Sequence, residues 1–365
     1  MASASASPKI LLTGVTGYIG GTILSLLLDS SSPVPSTATI SCLLRGPDRA
    51  AKLSSTYGSR VNPIVYKDLD DVEATVAAAA EHDIVISTTH GWHSGSSQAL
   101  LRGLAQRKAA TGRDVWMIHT SGTSNVAKGT LGVDPGQDGD ELDDVKDNVY
   151  EWEKDHELKE GPYGQRTTEL AVVDKGLELG VKTLVIMSPT IFGLGTGLWN
   201  KFSIQVPLFA GAILQNKHAV VLGDGRGVWD HVHVEDVAEL YVLILRRILE
   251  NGGEGVPTGK KGIIFSGNGR HSWLEVAQGV ADAFHEKGLL ADREVQSTGV
   301  PDIKKILGID GVADETVELS FASNSRTVAS VARSLGWNPT RGEEAWKNEF
   351  KDVVETALAK AAKAA

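Results

Sequence analysis

The chain has 365 residues, 41 % of them hydrophobic and 22 % charged, a composition that sustains a packed core and excludes wholesale disorder. Its 36 basic and 46 acidic side chains leave a formal charge of −10, opposite to the net basic footprint of a dedicated nucleic-acid binder. At roughly 150 residues per domain, the length implies two or three domains, or one large α/β domain with an appended lobe.

The first apolar run, residues 9–13, closes at Gly14 and is followed by helical spacing over 18–29. Runs at 38–44, 61–66 and 83–87 read as strands, 94–111 as a helix, 114–119 as a fifth strand, 163–179 as a helix and 182–187 as a sixth strand. Strands that alternate with helices across short connections predict a parallel sheet covered on both faces, a Rossmann-type doubly wound α/β fold. The alternation breaks twice. Residues 127–161, rich in Gly, Asp and Glu, read as a long acidic surface loop, and after Pro189 the chain turns glycine-rich before a helix at about 201–217. The resulting division is a nucleotide-binding Rossmann domain (1–192 and about 226–266), a smaller mixed α/β substrate-binding lobe (about 193–225 and 267–347), and a helical tail (348–365). The Ala/Lys-rich sequence from 343 onward offers little to specify a docking site.

The turn between the first strand and the first helix reads Thr13-Gly14-Val15-Thr16-Gly17-Tyr18-Ile19-Gly20-Gly21. Glycines at 14, 17 and 20 permit a tight turn, close approach of backbone to a pyrophosphate, and close helix–sheet packing, while the helix N-terminus turns its N–H groups and positive dipole end to the phosphates. The spacing is Gly-x-x-Gly-x-x-Gly rather than the commoner Gly-x-Gly-x-x-Gly. Its place on the first strand–helix junction makes Gly14, Thr16, Gly17, Tyr18, Ile19 and Gly20 candidates for dinucleotide binding.

The motif resembles that of the short-chain dehydrogenase/reductase superfamily, in its extended and atypical, epimerase/dehydratase-like branch, and the resemblance runs along nearly the whole chain. Asp68-Leu69 resembles the pair that cradles adenine, and Ser121, in His119-Thr120-Ser121-Gly122-Thr123, falls where the family keeps its active-site serine. Met187-Ser188-Pro189-Thr190-Ile191-Phe192-Gly193 resembles the segment beside the nicotinamide, which implies cofactor contacts from Pro189, Thr190 and Ile191. Asp230-His231-Val232-His233-Val234-Glu235-Asp236-Val237 resembles the family's Asp-Phe-Val-His-Val-Asp-Asp-Val stretch. Thr88, Thr89 and His90 follow the fourth strand at the carboxyl edge, where ligands sit in open α/β sheets. His93 is a pocket candidate on the same ground. At the end of the second strand the chain offers Arg45, with Arg49 and Lys52 after it, in place of the carboxylate that binds a ribose 2′-hydroxyl. A guanidinium suits a 2′-phosphate, so NADP(H) is expected over NAD(H).

The family's relay implies a Ser that orients the carbonyl, a Tyr that exchanges the proton, and a Lys four residues later. Tyr163 opens the helix before the sixth strand, but position 167 is Thr. Tyr150 with Lys154 satisfies the letters, yet sits far upstream inside the acidic loop. Tyr163 is the favoured donor, Tyr150 the rival, and a site with no tyrosine donor the third possibility. Arg166, three residues past Tyr163 and on the same helical face, is a candidate substitute for the lysine. Thr123 joins Ser121 as a candidate for polarising the carbonyl.

No metal is expected: His231 and His233 have His-x-His spacing, but no Cys or carboxylate cluster completes a site. Neither a Gly-x-Ser-x-Gly elbow nor a phosphate-loop motif is present. Trp229 stands where many nucleotide-sugar epimerases carry an arginine for the substrate diphosphate, and Trp229, Trp199 and Trp92 suit an apolar or aromatic substrate. Cys42, the single cysteine, fits a reducing compartment, and no apolar run approaches the ~18 residues of a membrane span. The first eight residues read as a short tail without signal- or transit-peptide character. The expectation is a cytoplasmic, NADPH-dependent reductase of an aldehyde or ketone, monomeric or homodimeric, with no nucleic-acid or membrane partner. The alternatives are a nucleotide-sugar epimerase or dehydratase, and a catalytically impaired NADP(H)-sensing protein.

Overall fold

Strands β1 (Ile10–Thr13), β2 (Ile40–Arg45), β3 (Val61–Tyr66), β4 (Ile84–Ser87), β5 (Trp116–Gly122), β6 (Lys182–Ser188) and β7 (Ile263–Phe265) form the central sheet of the computed structural model. The structure describes residues 8–29, 32, 38–133 and 141–364. Most of the predicted N-terminal tail and the 134–140 part of the predicted acidic loop lie outside the described residues. The sheet order is β7-β6-β5-β4-β1-β2-β3, every pair parallel. Such strands are buried on both faces, which explains their unbroken apolar runs, as in Ile10-Leu11-Leu12 and Ile84-Val85-Ile86. β7 has only three residues, too few to show a period, and it is the one strand of this sheet that the sequence reading passes over.

Helices Tyr18–Leu28 and Val234–Asn251 pack together as one layer, and Val72–Ala80, Ser94–Thr111 and Gly164–Leu179 pack side by side as a second. The strand order reverses between β1 and β4, so a crevice opens there at the carboxyl ends of the strands.

A second core is built by helices Gln205–Asn216, Trp273–Glu286 and Glu343–Ala364 around Phe209, Trp273, Phe284 and Trp346. The C-terminal segment is therefore no loose tail. Trp346, Phe350, Val353 and Val354 are buried, and the Trp346 ring stacks on His231 with centroids 4.1 Å apart. The sequence hides this because four large apolar residues among alanines and lysines specify a face only once a partner surface exists. Val354→Ala is expected to destabilise the fold by about 2 kcal/mol, the transfer cost of two buried methyls plus a small void, measurable by urea denaturation.

Two further expectations change. Residues 127–161 are not one surface loop: Leu142–Asp143 pairs with Thr327–Val328, and Val149–Glu160 is a helix that buries Val149, Tyr150 and Glu153. Residues 329–337, assigned by sequence to the smaller lobe, return to the first core through Ala329, Ala332, Leu335 and Trp337. Among the described residues, no helix is long and apolar enough to cross a membrane.

Candidate active site

The glycine turn leaves β1 with Gly14 at φ +76°, and Gly17 N–H donates to Gly14 O at 2.8 Å. Thr88, just past β4, donates from Oγ1 to Thr13 O at 2.7 Å, which draws the two strand ends together. A Cβ on Gly14 would stand 2.5 Å from Thr88 Oγ1 and 2.6 Å from its carbonyl oxygen, and one on Gly20 would meet Gly14 O at 2.5 Å. Helix Tyr18–Leu28 starts at Gly17 with no side-chain cap and no acidic residue in its first turn. Its positive end is thus available to an anion at the crevice between β1 and β4.

Tyr18 is buried and donates to Gly193 O at 2.6 Å. Burial, then Glu349 and Glu235, hold its phenol well above the usual pKa. It ties the turn to the glycine-rich segment after Pro189, whose Gly197 packs backbone-to-backbone on Gly21. Thr16 accepts from Asn200 N–H at 3.3 Å, and Ile19 is half-buried.

Parallel strands bring the remaining cofactor candidates to the same edge. Arg45 ends β2, and Arg45, Arg49 and Lys52 are all exposed. Asp68 and Leu69 follow β3, half-buried, with Asp68 Oδ1 accepting from Asp70 N–H at 2.9 Å. Thr88 and Thr89 are half-buried and His90 exposed. Pro189 lies on the wall of the cavity described next, Ile191 is half-buried, and Thr190 Oγ1 is buried with no hydrogen-bond partner. His93 caps helix Ser94–Thr111 through Nδ1 and lies 3.2 Å from Asp70 Oδ1 through Nε2, so it serves the scaffold rather than the pocket.

At the carboxyl ends of β5 and β6 lies a cavity of about 360 Å³. Thr123, Ser124, Tyr163 and Gln165 form one polar wall, and Ser188, Gln205, Thr316 and Ser320 add further polar side chains; Trp92, Trp229 and Phe321 are aromatic, and Ile204, Leu208, Ile309 and Val312 aliphatic. Among the described residues, none with a charged side chain lines it. Tyr163 is buried at the N-terminus of helix Gly164–Leu179, its ring edge-on to Trp92 at 4.7 Å. Its hydroxyl has Ser124 as a polar neighbour but completes no hydrogen bond, and Ser124 Oγ donates to Gln165 Oε1 at 2.7 Å. Burial pushes the phenol pKa up, while Ser124 and Arg166 pull it down and Glu315 adds to the rise. Thr123 Oγ1 is likewise buried without a partner.

Ser121 sits behind this wall, 5 % exposed, and accepts from Asn125 Nδ2 at 3.1 Å. Of the two carbonyl-polarising candidates, Thr123 is the one on the cavity. Arg166 lies 6.0 Å from the Tyr163 ring centre, but its guanidinium is engaged by Glu157 Oε2 at 2.9 Å and Gly161 O at 3.0 Å. Thr167 donates to the other oxygen of Glu157. The rival pair is elsewhere: Tyr150 and Lys154 converge on Asp174 at 2.5 and 2.7 Å, and neither lines the cavity. Trp199 packs against the first core and is not on the wall. His233 caps helix Val234–Asn251, and His231 stacks on Trp346. Among the described residues, no three His, Cys, Asp or Glu side chains are grouped to hold a metal ion.

Sequence reading assigned the far wall to the substrate-binding lobe but named none of its residues, and it did not name Gln165. Gln165 adjoins the Tyr163 motif and had a local signal. Ile309, Val312 and Phe321 arrive from a segment more than 140 residues away, which no local pattern reports.

Residues 152–256 match the NAD dependent epimerase/dehydratase family. The chain is 29 % identical over 342 residues to the oxidase ucsJ of Acremonium sp, covering 91 % of this chain and 92 % of that protein. Among solved structures, it is similar to DesIV, a dTDP-glucose 4,6-dehydratase from Streptomyces venezuelae with NAD and TYD bound (TM-score 0.62, 15 % identity, 95 % of this chain and 96 % of that one). It is also similar to vestitone reductase from alfalfa, Medicago sativa (TM-score 0.57, 17 % identity, 97 % and 99 %). Residues 152–256 thus match a model of the NAD dependent epimerase/dehydratase family, and nearly the whole chain shares the fold of these solved enzymes.

Proposed function

We propose that the protein is an NADP(H)-dependent oxidoreductase that reduces the carbonyl of a neutral, largely apolar aldehyde or ketone. The observation that carries this reading is the pair of buried, unpartnered hydroxyls, Tyr163 Oη and Thr123 Oγ1, on the wall of an uncharged cavity. Buried polar groups without partners are rare in native structures, and two on one wall suit a ligand oxygen that completes them.

The glycine turn fits a dinucleotide: no Cβ blocks Gly14 or Gly20, and the helix N-terminus carries no capping side chain. A bound nicotinamide cofactor supplies hydride exchange with the substrate carbon. Thr123 donates a hydrogen bond to the carbonyl oxygen, and Tyr163 gives that oxygen its proton as negative charge develops on it. Burial keeps the phenol neutral at physiological pH, which suits a proton donor and hinders the tyrosinate base that oxidation requires. Trp92, Trp229 and Phe321 supply apolar contact area and orient the substrate. With no Lys or Arg on the wall, a nucleotide diphosphate would enter without compensation for its charge, which argues against a nucleotide sugar.

Arg45 is the candidate contact for a 2′-phosphate. Charge-assisted hydrogen bonds of this kind contribute about 1.5–3 kcal/mol, so Arg45→Ala is expected to weaken NADPH binding about 10- to 100-fold and leave NADH binding unchanged, by nicotinamide fluorescence titration. Equal loss for both cofactors would count against the assignment. The proposal as a whole is tested with NADPH and a panel of neutral aromatic aldehydes and ketones beside UDP- and dTDP-sugars. Turnover of a neutral carbonyl supports it, and consumption of a nucleotide sugar overturns it. Tight NADPH binding without turnover would mark a sensing protein, the reading that Thr167 in place of lysine favours. The Acremonium relative is named an oxidase, which favours assaying the same panel's alcohols with NADP⁺ as the second reading.

A further inference from the structure

Two carboxyl groups beneath the cavity wall take no part in this reaction scheme. Glu153, on helix Val149–Glu160, and Glu169, on helix Gly164–Leu179, are fully buried. They face each other within hydrogen-bond reach. Both oxygens of Glu153 and Oε1 of Glu169 complete no hydrogen bond, with Asn125 and Ser121 as their polar neighbours. Glu169 Oε2 accepts from Asn125 Nδ2 at 2.7 Å, and the same nitrogen lies 3.1 Å from Ser121 Oγ. Asn125 belongs to the turn Thr123–Val126, whose first two residues line the cavity. Two carboxylates in contact in a low dielectric do not both ionise, so a proton between them completes the pair.

We propose that Glu153 and Glu169 hold one proton between them and act as positioning residues, fixing Asn125 and through it the segment that presents the Thr123 hydroxyl to the cavity. This rests on the cavity being the carbonyl-substrate site. Burial and mutual repulsion raise the titration of Glu153 well above the carboxylate range, and burial brings Glu169 to about 7. Of the charged groups on the surrounding elements, Arg166 pairs with Glu157, Lys154 with Asp174, Lys260 with Glu151, Arg107 with Asp83, and Lys108 donates to Gly180 O. Arg166 is the cation that still acts on the pair, lowering Glu153. Loss of the shared proton places a second negative charge behind Asn125 and loosens the wall.

The test uses the full chain, with Glu153→Gln as a neutral stand-in for the protonated acid and Glu169→Ala as the disruptive change. Infrared spectroscopy of the wild type at neutral pH should show the C=O stretch of buried carboxylic acid, reduced in Glu153→Gln by the share of Glu153 while Glu349 keeps its own. Folding raises both titrations, so the pair's contribution to stability is full below the ordinary value of 4.5, declines as pH rises through about 7, where the first proton leaves, and declines further where the shared proton leaves. The wild-type Tm should therefore fall relative to that of Glu153→Gln across this window. Binding of acetophenone, followed by quenching of Trp92 and Trp229, should weaken about tenfold per pH unit above the pair's titration in the wild type, stay flat in Glu153→Gln, and be lost in Glu169→Ala with NADPH binding intact. An acid band unchanged by Glu153→Gln, identical pH profiles for wild type and Glu153→Gln, or full acetophenone binding in folded Glu169→Ala would each overturn the proposal. An acid band with no ketone binding at any pH would overturn the proposed function, and the positioning role with it, while leaving the shared proton established.

Discussion

Tyr163→Phe should lower carbonyl turnover by about 10²- to 10⁴-fold, the usual contribution of a positioned general acid, while leaving stability untouched or slightly raised. The two halves of this expectation come from one observation. Tyr163 Oη is buried and makes no hydrogen bond, so its removal breaks nothing in the fold and relieves the desolvation of a polar group, a gain of up to about 1 kcal/mol. The ring stays, and so does its edge contact with Trp92. Steady-state kinetics and a thermal melt on the same sample check both halves. A variant with wild-type turnover would remove Tyr163 from the chemistry, and a variant that unfolds would show that the hydroxyl is structural.

Gly14→Ala is expected to abolish detectable NADPH binding and to destabilise the protein by about 2–5 kcal/mol, a sum of two costs. An L-residue in the left-handed region costs about 1–2 kcal/mol, and Gly14 holds φ +76°. The new methyl would stand 2.5 Å from Thr88 Oγ1 and 2.6 Å from Thr88 O. The hydroxyl can rotate away, but the carbonyl belongs to the backbone just past β4, so β1 and β4 would have to separate. Overpacking of this kind costs about 1–3 kcal/mol. Urea denaturation reads the stability and fluorescence titration the cofactor. A neighbouring substitution free of this conflict provides the control: a Cβ on Gly46 meets nothing within 4 Å, so Gly46→Ala should show only the cost of its own positive φ.

The parallel sheet and the glycine turn were legible because their causes are local. A strand buried on both faces must be apolar throughout, and a helix that begins against a neighbouring strand must be glycine at the points of contact. Tyr163 was legible for a similar reason, since it marks the start of a helix at a fixed distance before β6. The rest depended on which distant surfaces meet. Ser121 and Thr123 are two residues apart and chemically alike, and only the 3-10 turn after β5 decides that Thr123 faces the cavity while Ser121 faces Asn125. Arg166 has the spacing to assist Tyr163, yet Glu157 on another helix takes its guanidinium. Tyr150 and Lys154 satisfy a motif by letter and are drawn away by Asp174.

Glu153 and Glu169 show the same division at its sharpest. In a charged helical sequence they read as solvated residues, and only the packing of two helices removes both from water and sets them face to face. What this sequence determined by itself is therefore what hydrophobic period and backbone sterics dictate: the β-α alternation, the sheet and the glycine turn. The tertiary structure alone decided which hydroxyls face the cavity, which charges are already engaged, and what the C-terminal helix packs against, because burial and electrostatics depend on neighbours that sequence spacing does not record.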